Sequence, residues 1–348
     1  MPEYIWELSD IKKVNKNGYK VFSCFSCGGG SSMGYKLAGY EVIGNCEIDP
    51  KMNEMYLKNF NVKYNYLMGI QEMNKLKEFP EGLYNIDILD GSPPCSTFST
   101  NGQREKVWGK NKAFREGQAK QVLDDLFFEY IKLAEILKPK IIIAENVSGL
   151  IKGNAKGYVN LINKRLNEIG YNVQLFLLNA ATMGVPQRRE RVFFICTRKD
   201  LNLPKIELKF SEKPILYKEF KDIEHYKPFD QNKLEYKRWL KRIPSDLSIG
   251  DIVKRTENGK VSCFSHKIIK DNEVPLTLTA GDPFIRYDKP GTCSDKDIKT
   301  IQTFPQDYNF NGNEVQYVCG MSVPPIMMYK IAEQVKIQLL DKVGGTND

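Results

Sequence analysis

The most informative stretch of this sequence is Asp87-Ile88-Leu89-Asp90-Gly91-Ser92-Pro93-Pro94-Cys95-Ser96-Thr97-Phe98-Ser99. A short apolar strand is predicted over Ile86 to Leu89. Because proline fixes φ at about −65° and favours an extended residue before it, Pro93-Pro94 should present Cys95 just beyond the C-terminal end of that strand. Ligands bind at this end of open parallel sheets. Cys95 is therefore a candidate nucleophile, and the alternative is a small buried hydrophobic residue.

The chain before this stretch contains a second strand followed by a loop. A buried strand is predicted over Tyr19 to Phe25, and the glycine-rich segment Ser26 to Gly34 leads from it into a short helix. This order opens a nucleotide-binding βαβ unit, although glycine loops also occur as plain tight turns. The next strand, Tyr40 to Cys46, leads into Glu47. Glu47 lies nineteen positions after Gly28 (47 − 28), a spacing typical of a carboxylate that binds ribose hydroxyls, so the pattern favours an adenosine-bearing cofactor.

Strands and helices continue to alternate through the first two hundred or so positions, which predicts a doubly wound, Rossmann-like α/β domain. Thr100 to Lys120 shows neither the helical nor the strand periodicity of apolar residues and is predicted to be a long loop. Glu145-Asn146-Val147 should follow one strand, and Gln187 to Arg191 should precede another. The other predicted elements are strands at Val62 to Leu67, Lys140 to Ala144, Tyr171 to Leu178 and Val192 to Cys196, and helices at Gln121 to Leu137 and Tyr158 to Ile169.

The sequence pattern changes from about Lys199 to Glu273. This segment is rich in lysine and irregular, and it holds Trp239 and both histidines. Regular structure returns afterwards, ending in an amphipathic helix that starts near Pro325. We therefore predict an α/β domain over residues 1–198, a smaller irregular domain over 199–273, and a return of 274–348 to the first domain.

Composition limits the class of protein. Of 348 residues, 41% are hydrophobic and 27% charged, the balance of a soluble globular protein. The net charge of +8 is compatible with a polyanionic partner. We find no apolar run long enough to span a bilayer and no signal pattern, and we expect a cytoplasmic protein. Eight scattered cysteines and two histidines argue against a disulfide framework and a metal site.

Six motifs in this order resemble those of the cytosine-C5 DNA methyltransferases of the bacterial and phage restriction-modification type. The resemblance covers nearly the whole chain. It implies the family's fold, with a catalytic and cofactor-binding α/β domain and a smaller target-recognition domain over residues 199–273. The motifs are Phe25-x-x-Gly28-Gly29-Gly30, Glu47, Pro93-Pro94-Cys95, Glu145-Asn146-Val147, Gln187-x-Arg189-x-Arg191 and Gly320-x-Ser322-Val323-Pro324-Pro325.

The resemblance also implies a mechanism. The C5 carbon of cytosine is too weak a nucleophile to accept a methyl group directly, but addition of the Cys95 thiolate at C6 would place electron density on C5. Glu145 would bind N3 as an acid with a pKa raised by burial. Arg191 would contact the base, supported by Arg189. Without the resemblance, Glu145 could simply cap a helix and the arginines could form a solvated basic face.

The same resemblance implies S-adenosyl-L-methionine as methyl donor, S-adenosyl-L-homocysteine as product, and no metal. The partner implied is duplex DNA with the target cytosine flipped out of the helix. The loop at residues 100–120 would close over the DNA, with contacts from Ser99, Asn101, Gln187 and Arg191. The residues expected around the cofactor are Phe25, Ser26, Cys27, Gly28, Gly29, Gly30, Glu47, Ile48, Leu126, Ser322 and Val323.

Four positions depart from the family's pattern, which leaves cofactor affinity and fine geometry open. Cys27 stands where glycine is usual, and no acid is present near Gly69, where an aspartate usually contacts the adenine. Ser96 replaces a frequent glutamine, and Met321 replaces a frequent asparagine.

Three other functions remain as alternatives. One branch of the family methylates tRNA. A nicotinamide-dependent dehydrogenase would explain the glycine loop and Glu47 but would leave Pro93-Pro94-Cys95 without a role. An inert DNA-binding relative would not need Cys95 and Glu145. For the methyltransferase we expect a monomer in the bacterial cytoplasm, associated with the nucleoid and not with a membrane, and a cognate restriction endonuclease that acts separately.

Overall fold

The computed structural model describes residues 3–94, 111–112, 121–122, 126–151, 156–257 and 266–343. Its main feature is a seven-stranded sheet, and a separate pair of two-residue strands is formed by β5 and β6. The first nine strands are β1 (Lys20–Cys24), β2 (Glu41–Glu47), β3 (Tyr64–Leu67), β4 (Ile88–Gly91), β5 (Asn111–Lys112), β6 (Gln121–Val122), β7 (Ile141–Val147), β8 (Tyr171–Asn179) and β9 (Glu190–Arg198).

The large sheet has the order β3-β2-β1-β4-β7-β9-β8. Strands β1 to β4 and β7 run parallel to one another, whereas β9 is antiparallel to both β7 and β8. The doubly wound α/β prediction is confirmed. Strand β9 departs from the alternation of strands and helices, because the segment that connects it to β8 contains a short 3-10 turn, Ala180–Thr182, in place of a long helix.

Helices cover both faces of this sheet. On one face α1, α2 and α11 pack in a core that includes Met33, Met55 and Ile331, and on the other α5 and α6 contribute Tyr130 and Ile162. The helices are α1 (Gly30–Leu37), α2 (Pro50–Asn59), α3 (Ile70–Met73), α4 (Glu81–Tyr84), α5 (Leu126–Leu137), α6 (Lys156–Glu168), α7 (Leu234–Trp239), α8 (Ile249–Glu257), α9 (Asp295–Ile301), α10 (Val315–Met321) and α11 (Pro325–Gln338).

Several predicted boundaries are corrected by the structure. The helix expected from Gln121 begins only at Leu126, because Gln121–Val122 forms strand β6. Glu145 and Arg191 lie inside β7 and β9, not beside them, since both strands continue past their apolar centres. The two side chains are therefore held by backbone ladders, not by loops.

Helix α1 lies unusually close to α11 because of one glycine. A Cβ atom at Gly34 would stand 2.5 Å from the Cβ of Met328 and 2.6 Å from the carbonyl oxygen of Pro325. Helix α11 begins at Pro325, whose fixed φ suits the first helical turn. The C-terminal helix α11 is thus packed on α1, the helix that follows the glycine loop.

The register aligns the C-terminal ends of four parallel strands. Cys46 pairs with Cys24, Cys24 with Gly91, and Gly91 with Ala144, which makes one row across β2, β1, β4 and β7. The next residue of each strand or loop lies one step beyond this row. Those residues are Glu47, Phe25, Ser92 and Glu145, so the predicted site residues meet at one edge of the sheet.

The segment after β9 divides into two parts. Its beginning packs on the large domain: Ile206 and Leu208 belong to the core of that domain, and the Gln174 side chain exchanges hydrogen bonds with the backbone of Ile206 at 3.0 and 2.9 Å. A four-stranded sheet with the order β10-β13-β12-β11 follows. Its strands are β10 (Lys227–Pro228), β11 (Ile268–Ile269), β12 (Ile285–Arg286) and β13 (Gly291–Thr292).

We call residues 217–292 of the described chain the small body. Its own core is formed by Trp239, Ile249, Ile252, Ile268 and Ile285. The proposed boundary at residue 273 would divide its sheet, because two of the four strands come later. Strands of two residues show no periodicity, which is why the sequence did not place them.

Within the described ranges, no helix is long and apolar enough to cross a membrane. The same part of the chain holds no group of three or more histidine, cysteine or acidic side chains that could bind a metal ion.

Candidate active site at the carboxyl edge of the large sheet

A buried ion pair lies at this edge. Arg191 Nε donates to Glu145 Oε1 at 2.9 Å, and the two side chains retain only 14% and 11% of their exposure. Arg191 Nη1 also donates to the carbonyl oxygen of Glu190 at 2.8 Å. Burial lowers the pKa of Arg191, and the negative charge of Glu145 opposes this effect. A guanidinium has five N–H groups, so these two contacts leave it able to bind a further acceptor.

Asn146 connects this pair to the segment that leads to Cys95. Its side-chain nitrogen donates to the carbonyl oxygen of Pro93 at 3.1 Å, and its oxygen accepts from the backbone N–H of Val147 at 2.9 Å. Asn146 is buried, so β7 fixes the backbone two residues before Cys95. Cys95, Ser96, Ser99 and Asn101 lie outside the described residues. Within the predicted loop at 100–120 the structure describes only Asn111–Lys112, which forms strand β5 where no strand was predicted.

Glu47 organises the predicted cofactor loop. One carboxylate oxygen accepts from the backbone N–H of Cys27 at 2.8 Å, and the other accepts from that of Asp49 at 2.9 Å. Burial raises the pKa of Glu47, and these hydrogen bonds oppose the rise. Asp49 in turn caps α2 by accepting from the backbone N–H of Lys51. Glu47 thus links the ends of β1 and β2 without a cationic partner in the described part of the chain.

Two residues of the same loop adopt left-handed backbone conformations although neither is glycine. Phe25 has φ 55° and Cys27 has φ 42°. Such conformations cost about 1–3 kcal/mol each and are concentrated at functional sites. Cys27 stands where the family usually has glycine, so the structure shows a physical cost of that departure. Burial raises the pKa of its thiol to about 12, so Cys27 is a poor nucleophile.

The loop glycines are needed mainly for packing within the protein. A Cβ atom at Gly28 would stand 2.6 Å from a methyl carbon of Val318, and one at Gly30 would stand 2.0 Å from the carbonyl oxygen of Val323. At Gly29 the obstacle would be the Phe60 ring at 2.5 Å. The loop is therefore held against α10 and the segment that leads into α11.

The remaining residues of the predicted cofactor set differ in accessibility. Phe25 and Ile48 are half-buried and follow β1 and β2 directly, whereas Leu126 is fully buried in the core beneath α5. The buried side chains of Ser26, Ser322 and Val323 face the protein, with Ser26 Oγ accepting from Asn45. Glu47 offers a carboxylate to ribose hydroxyls, and the half-buried Phe25 and Ile48 offer apolar surface at the neighbouring strand ends. These side chains fit an adenosine group.

Arg189 and Gln187 form a buried frame behind the ion pair. Arg189 donates to the carbonyl oxygens of Leu278, Gly320 and Ser322 at 2.8, 3.1 and 3.1 Å. Gln187 donates to the carbonyl oxygen of Ile301 and to the side chain of Gln302, and accepts from the backbone N–H of Leu278. Both are almost without exposed surface, so their contacts tie the segment before β9 to Leu278 in the small body and to residues 301–322 after it.

The structure bears differently on the predicted roles of Gln187 and Arg189. Gln187 was expected to contact DNA, but its amide groups are engaged inside the protein. Arg189 is predicted to support Arg191, and its hydrogen bonds go to backbone carbonyl oxygens inside the protein, where burial lowers its pKa. Both residues directly precede β9, the strand that carries Arg191.

Sequence reasoning missed two polar residues of this edge. Asn146 belongs to a quoted motif but has no predicted role, and Asp90 lies just past the strand predicted over Ile86 to Leu89, although β4 includes it. Asp90 is buried in β4, where it accepts hydrogen bonds from Ser23 and Tyr35. The available signal was an acid inside an otherwise apolar strand, which requires partners because a lone buried charge is costly.

Comparison with known proteins identifies a family whose model covers most of the chain. Residues 19–337 match the family model described as C-5 cytosine-specific DNA methylase. The chain belongs to this family. It is a DNA cytosine-5 methyltransferase by family, and its relatives favour DNA over tRNA as the substrate.

Among its relatives is the type II methyltransferase M.FnuDI of Fusobacterium nucleatum, 29% identical with 93% of this chain and 96% of the relative covered. The type II methyltransferase M.NgoPII of Neisseria gonorrhoeae is 36% identical over 56% of this chain and 51% of its own. The fold is similar to that of a protein described as a DNA modification methyltransferase encoded within an E. coli prophage, with TM-score 0.67, 20% identity, and 93% and 100% of the two chains covered. It is also similar to Spodoptera frugiperda DNMT2, with TM-score 0.64, 18% identity, and 92% and 100% covered.

Proposed function

We propose that this enzyme methylates C5 of a cytosine within a specific duplex DNA sequence, with S-adenosyl-L-methionine as donor and Cys95 as the nucleophile. The observation that carries the proposal is the buried Glu145–Arg191 pair at 2.9 Å, on the strand that Asn146 ties to Pro93. An acid, a cation and the segment leading to a thiol thus lie at one sheet edge. A dehydrogenase would have no use for this combination.

Each residue has a distinct task in the proposed reaction. The Cys95 thiolate forms a bond to C6 of the flipped base, and the C5–C6 π electrons shift to C5. Glu145 holds a proton on N3, which withdraws electrons from the ring, and Arg191 donates to the carbonyl oxygen O2. After transfer, C5 loses its proton to a base and the Cys95–C6 bond breaks, which restores the aromatic ring and the thiolate.

The cofactor would be held at the neighbouring strand ends. When bound, S-adenosyl-L-methionine supplies an electrophilic methyl group on a sulfonium centre. Glu47 would accept hydrogen bonds from the ribose hydroxyls, and Phe25 and Ile48 would contact the adenosine. Arg189 and Gln187 would keep Arg191 in place and would not touch the base.

Sequence choice would come from the small body. Its lysine-rich surface suits phosphate contacts, and polar side chains carried on it would contact base edges in the major groove. Arg242 is held rigidly there, with its guanidinium carbon 3.3 Å from the centre of the Trp239 ring and 4.9 Å from that of Tyr287.

One experiment separates the proposed function from its alternatives. The full chain is incubated with tritium-labelled cofactor and with duplex DNA or tRNA, and the methylated cytosines are mapped. The proposal expects label in DNA at one recurrent sequence and none in tRNA. Label in tRNA alone would favour the RNA branch, and label in neither would favour an inert relative.

A segment exchange tests the role of the small body. Replacing residues 217–292 with the corresponding segment of a relative should move methylation to the relative's sequence while Cys95 still acts. An active chimera that keeps the original target would contradict this role and would favour the loop at 100–120. Single Lys→Ala changes in the small body should weaken binding about equally across sequences and reduce its salt dependence.

A further inference from the structure

Asp90 is a buried acid between the two halves of the site. It lies in β4, one residue before the strand end, and is only 2% exposed. Ser23 Oγ on β1 donates to one carboxylate oxygen at 3.0 Å, and the Tyr35 hydroxyl on α1 donates to the other at 3.2 Å. Ser31, also on α1, adds a third hydroxyl hydrogen bond. In the described part of the chain Asp90 has no ion pair.

The surroundings of Asp90 disfavour its charged form. Burial raises its pKa to about 7, the charge of Glu145 on β7 adds to this, and the hydroxyl hydrogen bonds oppose it. The other titratable groups that face it are neutral: Cys24 on β1, Tyr35 on α1, Tyr56 on α2 and Tyr130 on α5.

We propose that Asp90 is a positioning residue that holds α1 against β4, and that cofactor affinity rises when its carboxyl group loses its proton. This inference rests on the proposed cofactor site. Two of its three hydroxyl partners, Ser31 and Tyr35, are on α1, which begins at Gly30 of the cofactor loop. The strand that carries Asp90 continues into Pro93-Pro94. One side chain therefore joins the predicted cofactor site to the segment before Cys95.

The physical reason is the count of donors. An ionised carboxylate only accepts, so all three hydroxyls can donate to it together, and hydrogen bonds to a charged acceptor are stronger than neutral ones. A protonated carboxyl group carries its own O–H, so one neighbouring hydroxyl must turn to accept or lose its bond. Because two of these hydroxyls are on α1, the protonated form holds that helix less firmly.

The test is calorimetric titration of the full chain with S-adenosyl-L-methionine between pH 6 and pH 8. We expect the affinity of the wild type to rise about three- to tenfold across this range, the equivalent of one hydrogen bond. Asp90→Asn should show no such rise. Tyr35→Phe removes one bond that favours the ionised form, so its midpoint should move to higher pH. Tyr40→Phe is the matched control, since that buried hydroxyl donates to the carbonyl oxygen of Ala332, and its midpoint should equal that of the wild type.

Thermal unfolding gives a second readout that needs no cofactor. Because the pKa of Asp90 is raised in the folded state, the unfolded chain loses this proton first, and stability falls as pH rises from about 4 to about 7. Asp90→Asn lacks this loss. The Tm of Asp90→Asn relative to the wild type should therefore increase over that range and then level off.

The outcomes are distinguishable. A wild-type affinity that does not change with pH, or the same pH dependence in Asp90→Asn, overturns the role of Asp90 while leaving the cofactor site intact. If Asp90→Asn does not fold, an unchanged midpoint in Tyr35→Phe overturns it equally. No binding by the wild type at any pH would contradict the proposed function itself, and this inference with it.

Discussion

Two buried arginines, Arg191 in the large sheet and Arg286 in the small body, have opposite electrostatic surroundings. Burial lowers the pKa of Arg191, and one carboxylate, Glu145, only partly opposes this. Burial acts in the same direction on Arg286, but hydrogen bonds to Asp288 at 3.0 and 2.8 Å outweigh it, and the pKa is raised. The effect of burial on the pKa is thus only partly offset by a carboxylate at Arg191, whereas it is more than offset at Arg286.

The difference follows from how the two sheets are held. Strands β7 and β9 share a ladder from Ile141 to Val147, so the backbone alone fixes Glu145 and Arg191. The small sheet has strands of two residues, too short to be stable alone, and side chains must hold it. Arg286 binds Asp288 and the carbonyl oxygen of Asp222, and Lys221 binds Asp288 and Asp271. An arginine with spare hydrogen-bonding capacity suits a ligand, whereas one saturated by protein suits a rigid scaffold.

The largest effect is expected for Glu145→Gln. If the pair at the large sheet acts on the base, losing the acid should reduce single-turnover methyl transfer about a hundred- to ten-thousandfold. DNA affinity should change far less, because phosphate contacts dominate it. Asp288→Asn, which removes the carboxylate of the other pair, should leave the rate per folded molecule near that of the wild type.

Equal rates of methyl transfer in Glu145→Gln and the wild type would contradict the difference drawn between the two arginine–carboxylate pairs. They would place Glu145 with Asp288 as a carboxylate that only holds an arginine.

The next effect concerns stability. Arg286→Met should lower the free energy of unfolding of the small body by about 3 kcal/mol, since it removes one partner of a buried pair and leaves Asp288 with Lys221 alone. Arg238→Met is the matched control in the same body. Arg238 binds Glu257 at the surface with 3.0 and 2.7 Å contacts, and its loss should cost at most about 1 kcal/mol.

Urea unfolding followed by the fluorescence of Trp239 would measure both variants, because this side chain is in the core of the small body. Equal losses for Arg286→Met and Arg238→Met would contradict the scaffold role of Arg286.

A smaller effect is expected for Glu47→Ala, measured by calorimetry with S-adenosyl-L-methionine. Losing one charge-assisted hydrogen bond to the ribose should cost about 1.5 to 3 kcal/mol, or on the order of ten- to a hundredfold in affinity. Glu41→Ala is the control, since Glu41 is exposed at the opposite end of the same strand. Unchanged affinity in Glu47→Ala would mean that Glu47 serves only to order the loop through Cys27 and Asp49.

The sequence predicted the edge of the large sheet well because parallel strands end on one side. Glu47 and Glu145 each follow or end an apolar strand, and the register brings both one step past the same row of residues. The fold class follows from the alternation of strands and helices.

Other features depend on contacts between distant segments and have no local pattern. Gln187 and Arg189 are spaced like surface polar residues, but their partners are about ninety to a hundred and thirty positions away and take them into the core. Asp90 has its partners on β1 and α1, so only the folded chain explains an acid in an apolar strand. The glycine loop resembles a ligand cradle in sequence, yet Val318, Val323 and Phe60 occupy the space that its missing side chains leave.

The central claim is a covalent bond between Cys95 and C6 of the target cytosine. It is tested most directly with DNA in which 5-fluorocytosine replaces cytosine, since fluorine cannot leave C5 as a proton does and the Cys95–C6 bond then cannot break. With S-adenosyl-L-methionine present, the wild type should form a denaturant-resistant adduct that mass spectrometry maps to the peptide containing Cys95, and Cys95→Ser should form none. An adduct of equal yield in Cys95→Ser, or normal turnover of ordinary DNA by that variant, would contradict the mechanism.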